Sequence, residues 1–257
     1  MDIFTIKLKR LFAFFACVFL VACGKENTNE EDRPLVVMVS PDNPPFEFKD
    51  TGSGGKGVLG FDIDLINMVG KQLGREIKIV EVDFSAIIPG IQSKRADMGI
   101  SGIAATEKRR KSVDFSDPYH SYSFAVVTKQ DTVIDNHQDL ANKRIGAQLG
   151  STHETKSQEL SAILPGVSVF SLNKLPELIL EVKKGRAGAV MTEEAVAKRI
   201  VASNADLKYK VLDDIEGESY FIVFPKDSPL VSEVNRALED LKSSGQIDQL
   251  ITKWIAN

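Results

Sequence analysis

Cysteine is almost missing from the 257 residues: there are two, Cys17 and Cys23, both near the N-terminus. That excludes a disulfide-stapled scaffold and a cysteine-built zinc site. The three histidines, His120, His137 and His153, stand far apart and form no H-E-x-x-H pair, so neither a metal nor any other cofactor is expected. There is no G-x-S-x-G elbow, and no carboxylates pair off recognisably as acid and base, so the chain does not read as an enzyme. Basic charge is not in excess, with 32 Lys and Arg against 36 Asp and Glu, and after the first ten residues the Lys/Arg-rich block is the four-residue Lys108-Arg109-Arg110-Lys111. Nucleic acid is therefore not an expected partner. The longest uncharged apolar run, residues 11–22 (LFAFFACVFLVA), falls well short of the ~20 residues a membrane-spanning helix needs.

That run fits the core of an export signal. Lys7, Lys9 and Arg10 precede it, and Leu20-Val21-Ala22-Cys23-Gly24 closes it in a pattern that resembles a bacterial lipobox. On this reading residues 1–22 are a lipoprotein signal peptide. Cys23 is then the lipidated first residue of the mature chain, which keeps one cysteine and so has no internal disulfide. Residues 24–33 (GKENTNEEDR) contain no aliphatic or aromatic side chain, so 23–33 reads as a lipid anchor and flexible tether. The location implied is extracytoplasmic, with membrane contact through the anchor alone.

What remains has ordinary globular composition, 43% hydrophobic and 26% charged over the whole chain, enough for one large domain or two lobes. A continuous apolar run at 35–39 (LVVMV) suits a strand buried on both faces. Helical spacing at 61–73 follows, with Gly74 as its stop, then strand-like alternation at 77–82, a short helix at 85–93, a strand at 98–101 and a helix from Thr106. A second set repeats the rhythm: strand 144–149, helix from Ser151, strand 167–170, helix 175–183, strand 187–191, helix 193–201. Residues 230–254 read as two amphipathic helices broken at Gly245. This βα alternation predicts α/β lobes with mostly parallel sheets. The runs 124–128 (FAVVT) and 220–224 (YFIVF) flank the second set and are expected to carry the chain between lobes. Gly52, Gly54 and Gly57 satisfy G-x-G-x-x-G but open no helix, so they predict a hairpin loop rather than a nucleotide site.

Five stretches in order, Pro44-Pro45-Phe46-Glu47-Phe48, Gly60-Phe61-Asp62-Ile63-Asp64-Leu65, residues 97–109 (DMGISGIAATEKR), residues 113–119 (VDFSDPY) and Leu149-Gly150-Ser151-Thr152, resemble the polar amino-acid family (family 3) of extracellular solute-binding proteins. These are the ligand-capture components of ABC importers. The resemblance implies a two-lobed periplasmic-binding-protein-like fold (type II), with two hinge strands and a central ligand cleft. Lobe one would be 34–120 with 221–257, and lobe two 124–217. The implied partners are a free amino acid and the permease and ATPase subunits of an importer, and the chain would act as a monomer. A ligand-sensing module for a membrane receptor and a dehydratase-type enzyme on the same scaffold are the alternatives.

A free amino acid carries two opposite charges, and burying it demands a partner for each. By the resemblance Arg109 binds the α-carboxylate, a role its planar fork suits, although within Lys108-Arg109-Arg110-Lys111 it also reads as part of an exposed basic run. Thr152 would be the second carboxylate contact, beside Ser151, with helix capping open to either hydroxyl; Ala104 would offer only its N–H. Glu193 stands where the family has an acid for the ammonium, with Glu194 adjacent, and Gly102 matches a position offering a carbonyl. Phe84 matches an aromatic covering the ligand side chain. Asp42, Asn43, Ser101 and Gln148 would form a polar side-chain pocket, suited to a basic (arginine-like) or a glutamine-like ligand. Asp62 and Asp64 are expected to cap a helix.

Overall fold

The computed structural model describes residues 33–50, 52 and 57–256. The signal peptide, Cys23 and nearly all of the tether lie outside the described residues, as does part of the glycine loop.

Two five-stranded sheets organise the described chain. In the first, Leu35–Val39 is flanked by parallel strands Ile77–Glu81 and Met98–Gly99; Val223–Pro225 then runs antiparallel beside Met98–Gly99 and pairs with Val113–Phe115 at the edge. In the second, Arg144–Gln148 lies between parallel strands Ser168–Leu172 and Ala189–Glu193, and antiparallel Phe124–Lys129 separates Ala189–Glu193 from Leu207–Val211. The two sheets therefore share one plan. Each has three parallel strands, a fourth from a distant part of the sequence lying antiparallel to them, and an edge strand. The expected mostly parallel sheets are thus mixed, because in each one the chain arriving from or returning to the other sheet inserts a strand in the opposite direction.

The run at 35–39 is apolar throughout because both its faces are covered. Val37 and Val39 pack in one core with Leu65 and Leu238, while Met38 packs in another with Phe84, Ile87 and Ile91. This is the two-residue side-chain period of a strand with a helix layer on each side. The two C-terminal helices, Leu230–Ser243 and Gln246–Trp254, form as their spacing predicts, bury Val234, Leu238, Leu241, Ile247 and Leu250, and pack on helix Phe61–Gln72.

The expected crossing runs are displaced. Phe124–Lys129 is a fully internal strand of the second sheet, and the chain instead crosses between the sheets through His120–Tyr122 and Glu218–Tyr220, which pair antiparallel as a separate two-stranded ribbon. These three-residue strands carry too little hydrophobic pattern to stand out beside the stronger neighbouring runs. On either side of the glycine stretch, Glu47–Lys49 and Val58–Leu59 pair antiparallel.

Gly60 opens helix Phe61–Gln72 with φ 130° and ψ −178°, a conformation only glycine adopts readily. A Cβ there would meet the Phe46 carbonyl oxygen at 2.1 Å. The close approach serves the helix start, because the Phe61 and Asp62 N–H groups donate to the Pro45 and Phe46 carbonyls at 3.0 and 2.9 Å. Asp62 and Asp64 are therefore not caps, contrary to expectation. Asp62 is buried, and Asp64 accepts from Lys253 Nζ and Trp254 Nε1. Gly60→Ala is expected to destabilise the chain by about 1–3 kcal/mol; a thermal melt matching the parent would contradict that.

Candidate functional site

The strands of both sheets end toward one cleft, the place where open α/β sheets bind ligands. Beyond Leu35–Val39 come Ser40, Asp42 and Asn43, and beyond Met98–Gly99 come Ser101 and Gly102. Opposite, beyond Arg144–Gln148 come Gly150, Ser151 and Thr152, and Ala189–Glu193 ends on Glu193. Asn43, Phe84, Ser101, Gly102, Gln148, Ser151 and Thr152 line one narrow cavity of about 20 Å³, together with His153, Leu175, Met191, Thr192 and Tyr220.

Arg109 stands at one end. Thr106 caps the short helix Glu107–Arg110 by accepting from the Arg109 N–H at 3.2 Å. The guanidinium then reaches into the cleft, donating to the Ala104 carbonyl at 2.6 Å on its own side and to the Gly150 carbonyl at 2.9 Å across it. It lies 5.7 Å from the Phe84 ring centre. Arg109 itself lines the groove that continues the cleft past Phe84, Ser151 and Thr152 rather than the inner cavity. Burial lowers its pKa, partly offset by the nearby Tyr122 and Glu218. The exposed-basic-run reading does not describe it. Ala104 is buried and gives its carbonyl to Arg109.

Across the cleft, the capping alternatives resolve. Ser151 caps helix Thr152–Ile163, accepting from the Glu154 N–H at 3.1 Å and donating to the Gln148 carbonyl at 2.7 Å. Thr152 instead shares a 3.0 Å hydrogen bond with the Tyr122 hydroxyl, fixing this helix start to the ribbon.

Asp42 bridges the cleft away from Arg109. Its carboxylate accepts from Gln148 Nε2 at 3.1 and 3.3 Å, from the Leu175 N–H at 2.9 Å and from Ser40 Oγ at 2.9 Å. An acid from the first sheet's side is thus matched to donors from the second. The Ser101 hydroxyl is committed to the fold, donating to Glu47 Oε1 at 2.6 Å and accepting from the Ser40 N–H at 3.0 Å.

Glu193 is the last residue of its strand, fully buried, whereas Glu194 is exposed in the first turn of helix Glu194–Ala202. Neither carboxylate oxygen of Glu193 has a hydrogen-bond partner of good geometry. Tyr220 and Asn43 are the polar groups beside it. Burial pushes its pKa up to about 8, with Asp62 adding to the rise and Tyr220 and Asn43 opposing it. Gly102 takes φ 55° against the Tyr220 ring, where a Cβ would come within 3.1 Å.

Several lining groups carry no sequence expectation: His153, Leu175, Met191, Thr192 and Tyr220. His153 directly follows the Gly150-Ser151-Thr152 stretch and Thr192 directly precedes Glu193, adjacencies that could have pointed to them. Its buried ring packs against Tyr122 and Phe124, and burial lowers its pKa to about 4, with Arg109 acting in the same direction.

Among known proteins, the family described as bacterial extracellular solute-binding proteins, family 3, matches residues 35–257. The chain is 36% identical over 245 residues to the arginine-binding extracellular protein ArtP of Bacillus subtilis (strain 168), covering 93% of this chain and 94% of that protein. It is similar to the crystal structure of AbpA from Streptococcus pneumoniae bound to L-arginine, with TM-score 0.81, 35% identity, and 86% and 93% of the two chains covered. An ancestral arginine-binding protein, solved with arginine and with glutamine, matches with TM-score 0.80, 39% identity, and 87% and 98% covered.

Proposed function

The chain belongs to the family 3 bacterial extracellular solute-binding proteins, and from that premise we propose that it captures a basic, arginine-like amino acid outside the cytoplasm and delivers it to an ABC importer. The observation that carries this reading is the order of charges along the cleft: Arg109 at one end, Glu193 buried beside the middle, and Asp42 at the other end facing Gln148. Positive, negative, negative complements a carboxylate, an α-ammonium and a cationic side chain. In this reading Arg109 holds the carboxylate, with Thr152, Ser151 and the Ala104 backbone around it. Glu193 and the Gly102 carbonyl hold the ammonium, Phe84 covers the aliphatic stem, and Asp42, Asn43, Gln148 and Ser101 surround the distal end.

Capture is by closure. Lobe one is taken as 34–120 with 221–257 and lobe two as 124–217, hinged on the ribbon His120–Tyr122 and Glu218–Tyr220. The contacts Arg109 to Gly150 and Gln148 to Asp42 then mark the closed form. The same proposal has Cys23 lipidated after removal of residues 1–22, the monomeric chain tethered to the membrane by that lipid, and permease and ATPase subunits as its protein partners. No catalytic group is required, and the relatives above are binding proteins.

Calorimetry with all twenty amino acids tests it. Arginine is expected to bind with a micromolar or tighter Kd, and no heat from any amino acid by folded protein would refute the reading. Asp42→Asn is expected to weaken arginine at least tenfold while sparing glutamine, since only the cationic side chain needs the charge. Equal losses for both would remove Asp42 from the side-chain end.

A further inference from the structure

Behind the cavity wall formed by Ser101, Gly102 and Tyr220 lie three carboxylates rather than one. Glu47, Asp62 and Glu193 are each 0–1% exposed and come from three separate elements, the strand Glu47–Lys49, the first turn of Phe61–Gln72 and the end of Ala189–Glu193. Donors reach them only in part. Asp62 Oδ2 accepts from the Gly102 N–H and the Tyr119 hydroxyl, both at 3.0 Å, and Glu47 Oε1 accepts from Ser101 at 2.6 Å. Glu47 Oε2, Asp62 Oδ1 and both oxygens of Glu193 have no hydrogen-bond partner of good geometry, with Tyr220 and Asn43 beside Glu193 and Glu47 beside Asp62. The charged groups that act on the three are one another and Asp42; no lysine or arginine is among them.

Three neighbouring buried carboxylates with no lysine or arginine acting on them cannot all be ionised, so they share protons. Burial is the main cause for each. It raises Asp62 to about 7 and Glu193 to about 8, and it lifts Glu47 well above the ordinary range, with Asp62 adding to that rise. The other titratable groups here do not alter the balance near neutrality. Tyr119, Tyr122 and Tyr220 are raised by burial and stay neutral, and His120, packed on Phe46, Phe61 and Tyr220, is lowered by burial to about 4. Glu218 accepts from Tyr122 on the ribbon and acts on Tyr122 and Arg109, not on the three acids.

We infer that Glu47, Asp62 and Glu193 form one proton-loaded cation subsite, which takes the ligand's ammonium at Glu193 and releases a proton to solvent in exchange. Glu47 and Asp62 act through Glu193 as positioning residues. The inference rests on the proposed amino-acid capture and adds two residues and a counter-ion to it. The ligand class it selects is a primary ammonium, because the orphaned oxygens need a donor that is both charged and able to give several hydrogen bonds. Charge is conserved: an ammonium enters and a proton leaves, so the buried region gains no net charge.

The test is titration of arginine into the full chain at pH 6, 7 and 8, in phosphate and in imidazole, whose different ionisation heats report proton transfer. The expected result at pH 7 is release of one-half to one proton per arginine, with Kd falling up to tenfold per pH unit from 6 to 8. Asp62→Asn should flatten that profile by removing the acid that raises Glu193, and Glu47→Gln, independently, by removing a proton-holding acid on which both Asp62 and Glu193 act. His153 is the one nearby group able to confuse the sign, and a ligand carboxylate beside it would cause proton uptake, not release. Arginine binding with no proton release and a flat Kd overturns the exchange and leaves capture standing. Proton release unchanged in both variants removes Glu47 and Asp62 from the subsite. Absence of binding at every pH overturns the capture reading itself.

Discussion

Arg109→Ala is expected to lower affinity for every amino-acid ligand by about 10²–10³-fold, the usual consequence of removing one member of a desolvated charge pair. The loss should be uniform across ligands, since the carboxylate is common to all amino acids and the side-chain pocket lies at the opposite end, around Asp42 and Gln148. Arg109→Lys is expected to recover little. The native guanidinium uses two nitrogens on two carbonyls, Ala104 and Gly150, and a single ammonium lacks that planar fork. The fold should survive, because Arg109 is half-buried on a four-residue helix and contributes nothing to either apolar core. Calorimetry with arginine, glutamine and histidine, alongside a thermal melt, separates the outcomes. A variant that is folded and still binds any of them within tenfold of the parent would remove Arg109 from the carboxylate end.

The parts of this molecule that could be read from sequence are those where one residue pattern has one physical cause. Residues 35–39 are apolar without interruption because helices cover both faces of that strand, and the break at Gly245 shows because it takes φ 72° between two amphipathic stretches. Residues 207–211 (LKYKV) alternate clearly and form Leu207–Val211, a strand the pattern supported but the βα rhythm obscured. The ribbon was not legible: His120–Tyr122 and Glu218–Tyr220 are short, partly polar strands held by each other and by Tyr122 and Tyr220, whose rings lie 4.5 Å apart across it. At the site, Arg109, Thr152, Gln148 and Glu193 stood out through the family resemblance; the first three border the cleft or its groove, whereas Glu193 is sealed behind the cavity wall. Asp62 read as a helix cap, and Glu47 carried no role of its own. Nothing in a one-dimensional pattern distinguishes a carboxylate that faces water from one that a folded chain has sealed against two others.

That sealing has a consequence for stability without any ligand. Between pH 6.5 and 8 the ligand-free chain is expected to lose about 3 kcal/mol, roughly 5–10 °C in Tm. The sign follows from proton counts. Unfolded, these acids titrate near their ordinary values of 3.8 and 4.5, whereas folded Asp62 and Glu193 hold their protons to about 7 and about 8. The native state therefore binds more protons than the unfolded one throughout that window, and each unit of rise in pH favours unfolding until the folded pKa is passed. Their stabilising contribution is complete below the unfolded pKa values and is lost as pH climbs through the folded ones. Buried His120 and His153, both lowered to about 4, work in the opposite direction but only below about 6.5, where unfolded histidine takes up a proton. The two effects oppose each other at pH 5–6 and separate above 6.5, which is why the upper window isolates the carboxylates. Differential scanning calorimetry of the ligand-free chain at pH 6.5, 7.25 and 8 measures it, with Glu193→Gln expected to flatten the decline by removing a group that holds its proton to about 8. A Tm that holds constant or rises across that window would mean the three acids are not protonated together, and with them would go the cause assigned to the exchange.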